Sequence, residues 1–421
     1  MDYTREIMNL LDRSHSPFHA VSNMKEAFLK KGYIELQENL PFDLKEGKGY
    51  FLTRNDSSII AFSLPFGKPH GFRIASTHND SPSFVLKPNP ILNQGAVCKL
   101  NTEPYGGGLY YTWLDRPLSF AGRVYSLLGD GSQKCALVDY DKDALVIPSL
   151  AIHMNREANS GLSMNPAKTT LPLWLDHNLE GSFPAFLKKQ FDLEGEVVSF
   201  DLSLYVRENA REVGGEGAFL LSPRLDDLSS AYANLLAFLD GQGASANIPL
   251  FASFDNEEVG SLTQQGANSD FLRNVIRRIL SCLGLSEEEK QIIQANSVML
   301  SVDNAHANHP NYPELSDATT KVNMNQGIVI KYNAAQHYTT NAKSGAYVKM
   351  LCKNNGLAYQ EFTNRSDLRG GSTLGNLSNS EISLLCADIG IAQLAMHSSV
   401  ELCGKKDIDD MVKLLKAHYK N

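Results

Sequence analysis

Five short segments of the chain place an acidic or histidine side chain just past a strand-like run. They are STHNDSP at 76–82 after FRIA, PRLDDL at 223–228 after AFLLS, FDNEEVGS closing IPLFASF, SVDNAHANHPN closing VMLSVD, and MHSSVE at 396–401 beyond ISLLCADIG. Singly, each has an ordinary explanation, since Asp after a strand is a common helix N-cap. Together they offer histidines, among them His78 and His397, several carboxylates and no cysteine, the donor set of hard and borderline divalent metals, and a carboxylate is able to bridge two such ions. The pattern predicts a co-catalytic metal hydrolase site in which one ion takes His78 and Asp303, the other takes Glu258 and His397, and Asp226 bridges them. Neighbouring side chains in extended backbone point in opposite directions. Glu257 is therefore left free to act as the catalytic base on the attacking water while Glu258 holds metal. Asp80, two residues after His78, is expected to hydrogen-bond the ring nitrogen that the metal does not use, fixing the tautomer. Alone, the Glu pair would read as a solvated acidic loop and Asp80 as a turn residue before Ser81-Pro82.

For these segments to converge, the strands that carry them must end on one side of a sheet, because ligands of open α/β sheets bind beyond the carboxyl ends of the strands. From about 218 onward the chain alternates strand-like and helix-like runs: IPLFASF, a helix near 269–282, VMLSVD, GIVIKY, a helix at 342–354, YQEFT, ISLLCAD and a last helix ending in VKLLKAHY. That alternation predicts an α/β fold, a mixed sheet with helices wound on both faces. The first thirty residues read as helix, with Ile7, Met8, Leu10, Leu11, Val21, Met24 and Phe28 in period, and β-rich runs follow from 50 to 88. Residues 93–211 have a different texture, with short alternating runs (GRVYSLL, CALVDY, VVSFDLSLYV) and Gly/Asn/Pro clusters. They predict an inserted β-rich domain, leaving 1–92 plus 212–421 as the catalytic domain.

At this point the order of motifs carries a resemblance. STHNDSP, PRLDDL, FDNEEVGS, SVDNAHANHPN, GGSTLG and DIGIAQLAMHSSVE resemble the aspartyl aminopeptidase family of metallopeptidases, which also contains the vacuolar aminopeptidase. YGGGLYYTWLDRPLSFAGR, IPSLAIHMNR and FDLSLY extend the likeness through the inserted part. The resemblance implies a two-zinc exopeptidase that removes N-terminal residues from peptides, with the inserted domain serving dimerisation and the chains assembling into a tetrahedral dodecamer. It implies the same ligands and base as above. It adds His153 as a residue that reaches a neighbouring subunit's active site, and His309, Lys331 and Tyr338 as substrate contacts. Asn79 stands where threonine is usual, and Asp227 where asparagine is usual. The residues themselves leave manganese or cobalt open as alternatives to zinc.

Composition narrows the partners. The chain of 421 residues has 43% apolar and 20% charged residues and a formal charge of −8, without long basic runs. That argues against nucleic acid or an anionic membrane as a partner and for peptide substrates and self-association. The six cysteines form no CxxC pair, Cys135, Cys352 and Cys386 lie in apolar runs, and neither a signal peptide nor a spanning segment is evident, so a reduced cytoplasmic setting is expected. GGG at 106–108 lacks dinucleotide spacing and reads as a tight turn. GGSTLG at 370–375 reads as a substrate cradle or a plain loop, and His70, His177 and His418 as surface residues. Lys331 follows an apolar run, and a buried ammonium there would need an anion. A substrate carboxylate would supply one, predicting a preference for N-terminal Asp or Glu. The alternative is an internal carboxylate partner and a pocket for neutral residues. A carboxypeptidase or deacylase with the same paired-metal site, or a binding protein that has kept the fold without activity, would be the competing functions.

Overall fold

The computed structural model describes residues 2–241, 245–368, 370–371 and 373–421. Its centre is a mixed nine-stranded sheet in the order Ile34–Glu35, Gly49–Arg54, Ser58–Ser63, Ile248–Phe254, Phe72–His78, Val298–Val302, Leu385–Gly390, Ile328–Lys331 and Tyr359–Phe362. The four strands from Ile248–Phe254 to Leu385–Gly390 run parallel. Their carboxyl ends therefore share one edge of the sheet. Successive side chains go to opposite faces: Ile74 and Leu250 pack with Phe271, Val275 and Ile279 of the helix Phe271–Cys282. Ala75 and Phe251 pack on the other side against Phe28, Phe238 and Tyr419. Burial on both faces is why these strands read as unbroken apolar runs rather than alternating ones.

The first thirty residues form two helices, Tyr3–Leu11 and Pro17–Lys30, instead of one. Ser16 caps the second through its side chain, with Pro17 at the first helical position, so the break is encoded in SHSP. A six-stranded antiparallel sheet follows, ordered Gln133–Asp139, Leu118–Leu127, Glu196–Val206, Ser83–Gln94, Val97–Tyr105 and Leu173–Leu175. It has its own core around Phe84, Trp113, Phe120 and Phe183. The division expected at 92/93 falls inside the strand Ser83–Gln94, so this sheet begins earlier in the chain. A third sheet of five strands joins Arg211–Val213, Phe219–Ser222, Glu401–Gly404, Ala392–Leu394 and Ala305–His306. The division expected at 211/212 falls inside the first of these.

Two surface or core assignments are corrected. His418 is fully buried on the last helix, Lys405–Lys420, with its Nε2 2.9 Å from the Ile74 carbonyl oxygen and its Nδ1 2.9 Å from the Tyr347 hydroxyl. The apolar run around Cys135 forms an outer strand, and its thiol is exposed. His70 and His177 are exposed, as expected. Among the described residues all six cysteines are free, and no helix is long and apolar enough to cross a membrane.

Candidate metal centre

His78 closes the strand Phe72–His78, and Asp303 follows Val298–Val302. Asp226 and Asp227 sit in a non-helical turn, joined by a cis peptide, at the start of Leu225–Asp240. Glu257 and Glu258 form a short 3-10 turn after Ile248–Phe254. The parallel strands thus deliver His78, Glu257, Glu258 and Asp303 to one edge, and the five-stranded sheet brings Asp226 and Asp227, after Phe219–Ser222, and His397, before Glu401–Gly404, to them.

Asp226 stands between the two histidines. Its Oδ1 is 3.4 Å from His78 Nε2, and its Oδ2 is 3.2 Å from His397 Nε2. His78 Nε2 is also 3.8 Å from Asp303 Oδ1, and His397 Nε2 is 3.3 Å from Glu258 Oε2. Two ligand atoms each about 2.0–2.2 Å from one tetrahedral ion stand about 3.3–3.6 Å apart. The observed separations of 3.2 to 3.8 Å bracket that value, and three of the four are longer than an ordinary N–H···O hydrogen bond. The structure therefore brings together His78, Asp226 and Asp303 on one side and Asp226, Glu258 and His397 on the other.

The ring nitrogens are oriented for the same purpose. His78 Nδ1 faces the Asp80 carbonyl oxygen at 3.1 Å and its carboxylate at 3.4 Å, and His397 Nδ1 faces the Gly107 carbonyl oxygen at 3.1 Å. With those acceptors taking the Nδ1 protons, both Nε2 lone pairs point into the cluster. Asp226 Oδ1, Asp227 Oδ1 and Glu258 Oε1 are enclosed without a hydrogen-bond partner. Buried carboxylate oxygens left so need a cation. The electrostatics agree: burial opposes a charged His78, yet Asp226, Asp303 and Asp80 pull its pKa well above the imidazole range. Burial, with Asp226 adding, pushes Glu258 far up. Divalent ions fit the donor set.

Asp80 does more than orient His78. Its two carboxylate oxygens accept the backbone N–H groups of Glu257 and Glu258, both at 3.1 Å, and Oδ2 also accepts the Tyr105 hydroxyl at 2.6 Å. Glu257 is half-buried, and burial pushes its carboxyl up to about 7, with Asp303, Asp80 and Asp226 adding and His78 opposing. Asp227 is buried, with Oδ2 accepting from the His78 N–H at 3.3 Å. Burial first, then Asp303 and Asp226, raise its pKa strongly, with His78 opposing, and its ligand atoms lie close to those of His78 and Asp303 as a further candidate metal donor. The GGG turn lies on the site: a Cβ at Gly106, whose φ is +72°, would come 3.1 Å from the Glu258 Cβ.

Some expected contacts stand elsewhere. Lys331 is buried, but its ammonium already lies 3.3 Å from Asp303 Oδ2 and donates to the Asn304 carbonyl oxygen at 3.0 Å. The ammonium thus has an internal carboxylate partner in the single chain. Tyr338 is buried with its ring 5.2 Å from Lys331 Nζ. His309 borders a cleft of about 300 Å³ with His306, Arg365, Gly370 and Gly371. Ser372 of GGSTLG lies outside the described residues. His153 is exposed in the inserted part.

Glu401 is the residue the sequence reading passed over. Buried in the strand Glu401–Gly404, it accepts the Asp226 N–H at 2.9 Å and the His397 N–H at 2.7 Å, fixing Asp226 and His397 together. The signal was an acid four residues after His397 opening an apolar strand. Tyr105 and Asn256 were also missed; the Asn256 amide donates to the Tyr105 hydroxyl at 2.9 Å, so both back Asp80.

Residues 10–419 match the family described as aminopeptidase I zinc metalloprotease (M18). A probable M18 family aminopeptidase 2 of Clostridium acetobutylicum is 41% identical, covering 97% of this chain and 96% of its own. Among solved structures, a chain of the Ape4 and Nbr1 complex superposes with TM-score 0.95 at 34% identity, covering 100% of this chain and 86% of that one. A chain of the S. cerevisiae mApe1 dodecamer gives 0.87 at 26% identity, covering 100% and 97%.

Proposed function

The chain belongs to the M18 family of aminopeptidase I zinc metalloproteases and is a metalloaminopeptidase; from that premise we propose that it removes N-terminal residues from peptides at a two-ion centre. His78 and Asp303 would hold one ion and His397 and Glu258 the other, with Asp226 placed to serve both, zinc being the ion that the family description names. The observation that carries this reading is Asp226, with one oxygen directed at each histidine. Bound divalent ions supply Lewis acidity there, polarising the scissile carbonyl and acidifying water. Glu257 takes the proton of the attacking water and delivers it to the scissile nitrogen as the C–N bond breaks. Asp80 keeps Glu257 at its post through the backbone N–H.

The finer reading, a preference for N-terminal Asp or Glu, is supported by the likeness of the motifs to aspartyl aminopeptidases. A second reading, acceptance of neutral residues, is favoured by the Lys331–Asp303 pair, which leaves the ammonium no need of a substrate anion. A panel of Asp, Glu, Leu and Ala chromogenic substrates, with and without chelator, separates them. The acidic reading requires kcat/KM for Asp and Glu to exceed the others, and Lys331→Met to lower those two selectively. Activity that survives prolonged chelation would reject the metal centre itself.

Self-association into dimers, and from dimers into a dodecamer, belongs to the same proposal, with the inserted sheet as dimerisation module and His153 acting across the interface. Its support is the exposure of Leu150, Ile152 and Met154 around His153, an apolar patch with no cover in the single chain, and the similarity to a dodecameric structure. A cytoplasmic location is supported by six cysteines without a disulfide.

A further inference from the structure

Behind the metal centre, and lined by none of its ligands, a cavity of about 310 Å³ lies where the six-stranded sheet meets the catalytic part. Its walls include residues 15–18 at the start of the second helix, residues 201–206 of the strand Glu196–Val206, residues 223–224 just before Asp226, and, on the side toward the metal centre, Asn79, residues 81–83, Tyr105, residues 255–256, 398–399 and Glu401.

The charged side chains on these walls are engaged, with one exception. Arg123 Nε donates to Asp201 Oδ2 at 2.7 Å, and its Nη atoms donate to Asn55 at 2.8 and 3.0 Å. His15 Nδ1 lies 2.6 Å from Asp139 Oδ2, and its ring stacks on Tyr205 with centroids 3.9 Å apart. Glu401 holds the two backbone N–H groups described above, and Asp255 accepts the Asn256 N–H at 2.8 Å. The exception is Arg224. Its Nε is enclosed with no hydrogen-bond partner, its Nη2 reaches only the Leu11 carbonyl oxygen at 3.3 Å, and it forms no ion pair among the described residues. Asp12 and Asp139, the acids closest to it in charge, are occupied by the Ala210 N–H and by His15 with Tyr205.

A half-buried guanidinium whose enclosed Nε has no partner and whose single acceptor is one long carbonyl contact is undersatisfied, and a carboxylate matches its N–H fork better than any neutral group. Much of the remaining lining is apolar, including Phe18, Val85, Trp113 and Leu204. We propose that this cavity is a second ligand site, which takes a small carboxylate with an apolar or aromatic body. Arg224 holds the carboxylate, and the body lies against Phe18, Val85 and Leu204. Because the walls come from both parts of the chain, occupancy ties them together.

The test uses 3-phenylpropionate as probe and 3-phenylpropanamide as its neutral match, on the metal-loaded enzyme, by calorimetry and thermal melting. The acid should bind saturably and raise Tm, and the amide should bind at least about tenfold more weakly, the loss expected for one hydrogen bond to a charged group. Arg224→Met should weaken the acid by a similar factor. Ser203→Leu, which fills the cavity away from the metal centre, should abolish binding while peptidase activity stays unchanged. Glu258→Gln should bind the probe as the parent does. The proposal is overturned by no binding up to about 10 mM, well into the weak millimolar range. Equal affinity for acid and amide, binding retained in both Arg224→Met and Ser203→Leu, or binding lost in Glu258→Gln would each overturn it as well.

Discussion

Replacing Asp80 by Asn changes one oxygen to an N–H₂ group in a place where nearly every neighbour is a donor. The carboxylate accepts the Glu257 and Glu258 N–H groups at 3.1 Å each and the Tyr105 hydroxyl at 2.6 Å. An asparagine oxygen is able to keep the Glu258 N–H and Tyr105, and its amide nitrogen then confronts the Glu257 N–H. One hydrogen bond to a charged group is lost, about 1.5–3 kcal/mol. If that loss falls on the placement of Glu257, kcat/KM drops by about 10- to 150-fold. The second effect runs through His78, whose Nδ1 faces the same carboxylate at 3.4 Å; weakening such a partner typically costs about 10- to 100-fold in metal affinity. The two effects separate in a metal titration with a chromogenic aminoacyl substrate. The His78 contribution is recovered at saturating metal, and the Glu257 contribution persists. Asp80→Asn within threefold of the parent at saturating metal would refute the assignment of Asp80 as the holder of the glutamate pair.

Glu257→Gln should lower turnover by about 10²–10⁴-fold with metal content near normal, whereas Glu258→Gln should lose metal; metal lost from both would contradict the division between base and ligand. Mixing His153→Ala subunits with Glu257→Gln subunits, each inactive, should restore part of the activity as they exchange, and a fully active monomer in light scattering would exclude a role across the interface. Burial holds the His418 pKa at about 3, below its ordinary 6.5. The unfolded chain therefore takes up the proton first, and stability is lost as pH falls from 6.5 toward 3, by about 2 kcal/mol at pH 5. Urea unfolding of metal-free His418→Gln at pH 7 and 5 should lack that increment, and an unchanged pH dependence would mean His418 is not the sensor.

What could be read from residues alone was whatever depended on strand ends. His78, Glu257, Glu258 and Asp303 each close or follow a strand of the parallel set, so that sheet was enough to bring them to one edge, whereas Asp226 comes from the turn after Phe219–Ser222 of the five-stranded sheet. Glu401 was hidden because its burial depends on a five-stranded sheet assembled from residues 211–213, 219–222, 305–306, 392–394 and 401–404, pairings with no local signature. The six-stranded sheet starts earlier than expected, in a strand that contains Pro88 and Pro90 and accommodates them at an irregularity between Leu86 and Ile91. Lys331 illustrates a different limit. Its burial was legible, but which carboxylate answers its charge depends on Ile328–Lys331 reaching Asp303, and the chain order does not contain that distance.

The hairpin of Ser83–Gln94 and Val97–Tyr105 leaves the catalytic part just after Asp80 and returns with Tyr105 on Asp80 itself. The peripheral sheet is thus tethered to the reaction centre at both its departure and its return, through covalent chain on one side and a hydroxyl on the other. Force applied to the outer sheet, by a seated partner or by packing in an assembly, has a short stiff path to the turn that carries Glu257. A shorter relative lacking this hairpin would have to recruit another donor for Asp80, and a graft of the bare catalytic part onto a different scaffold would arrive with its glutamates unmoored.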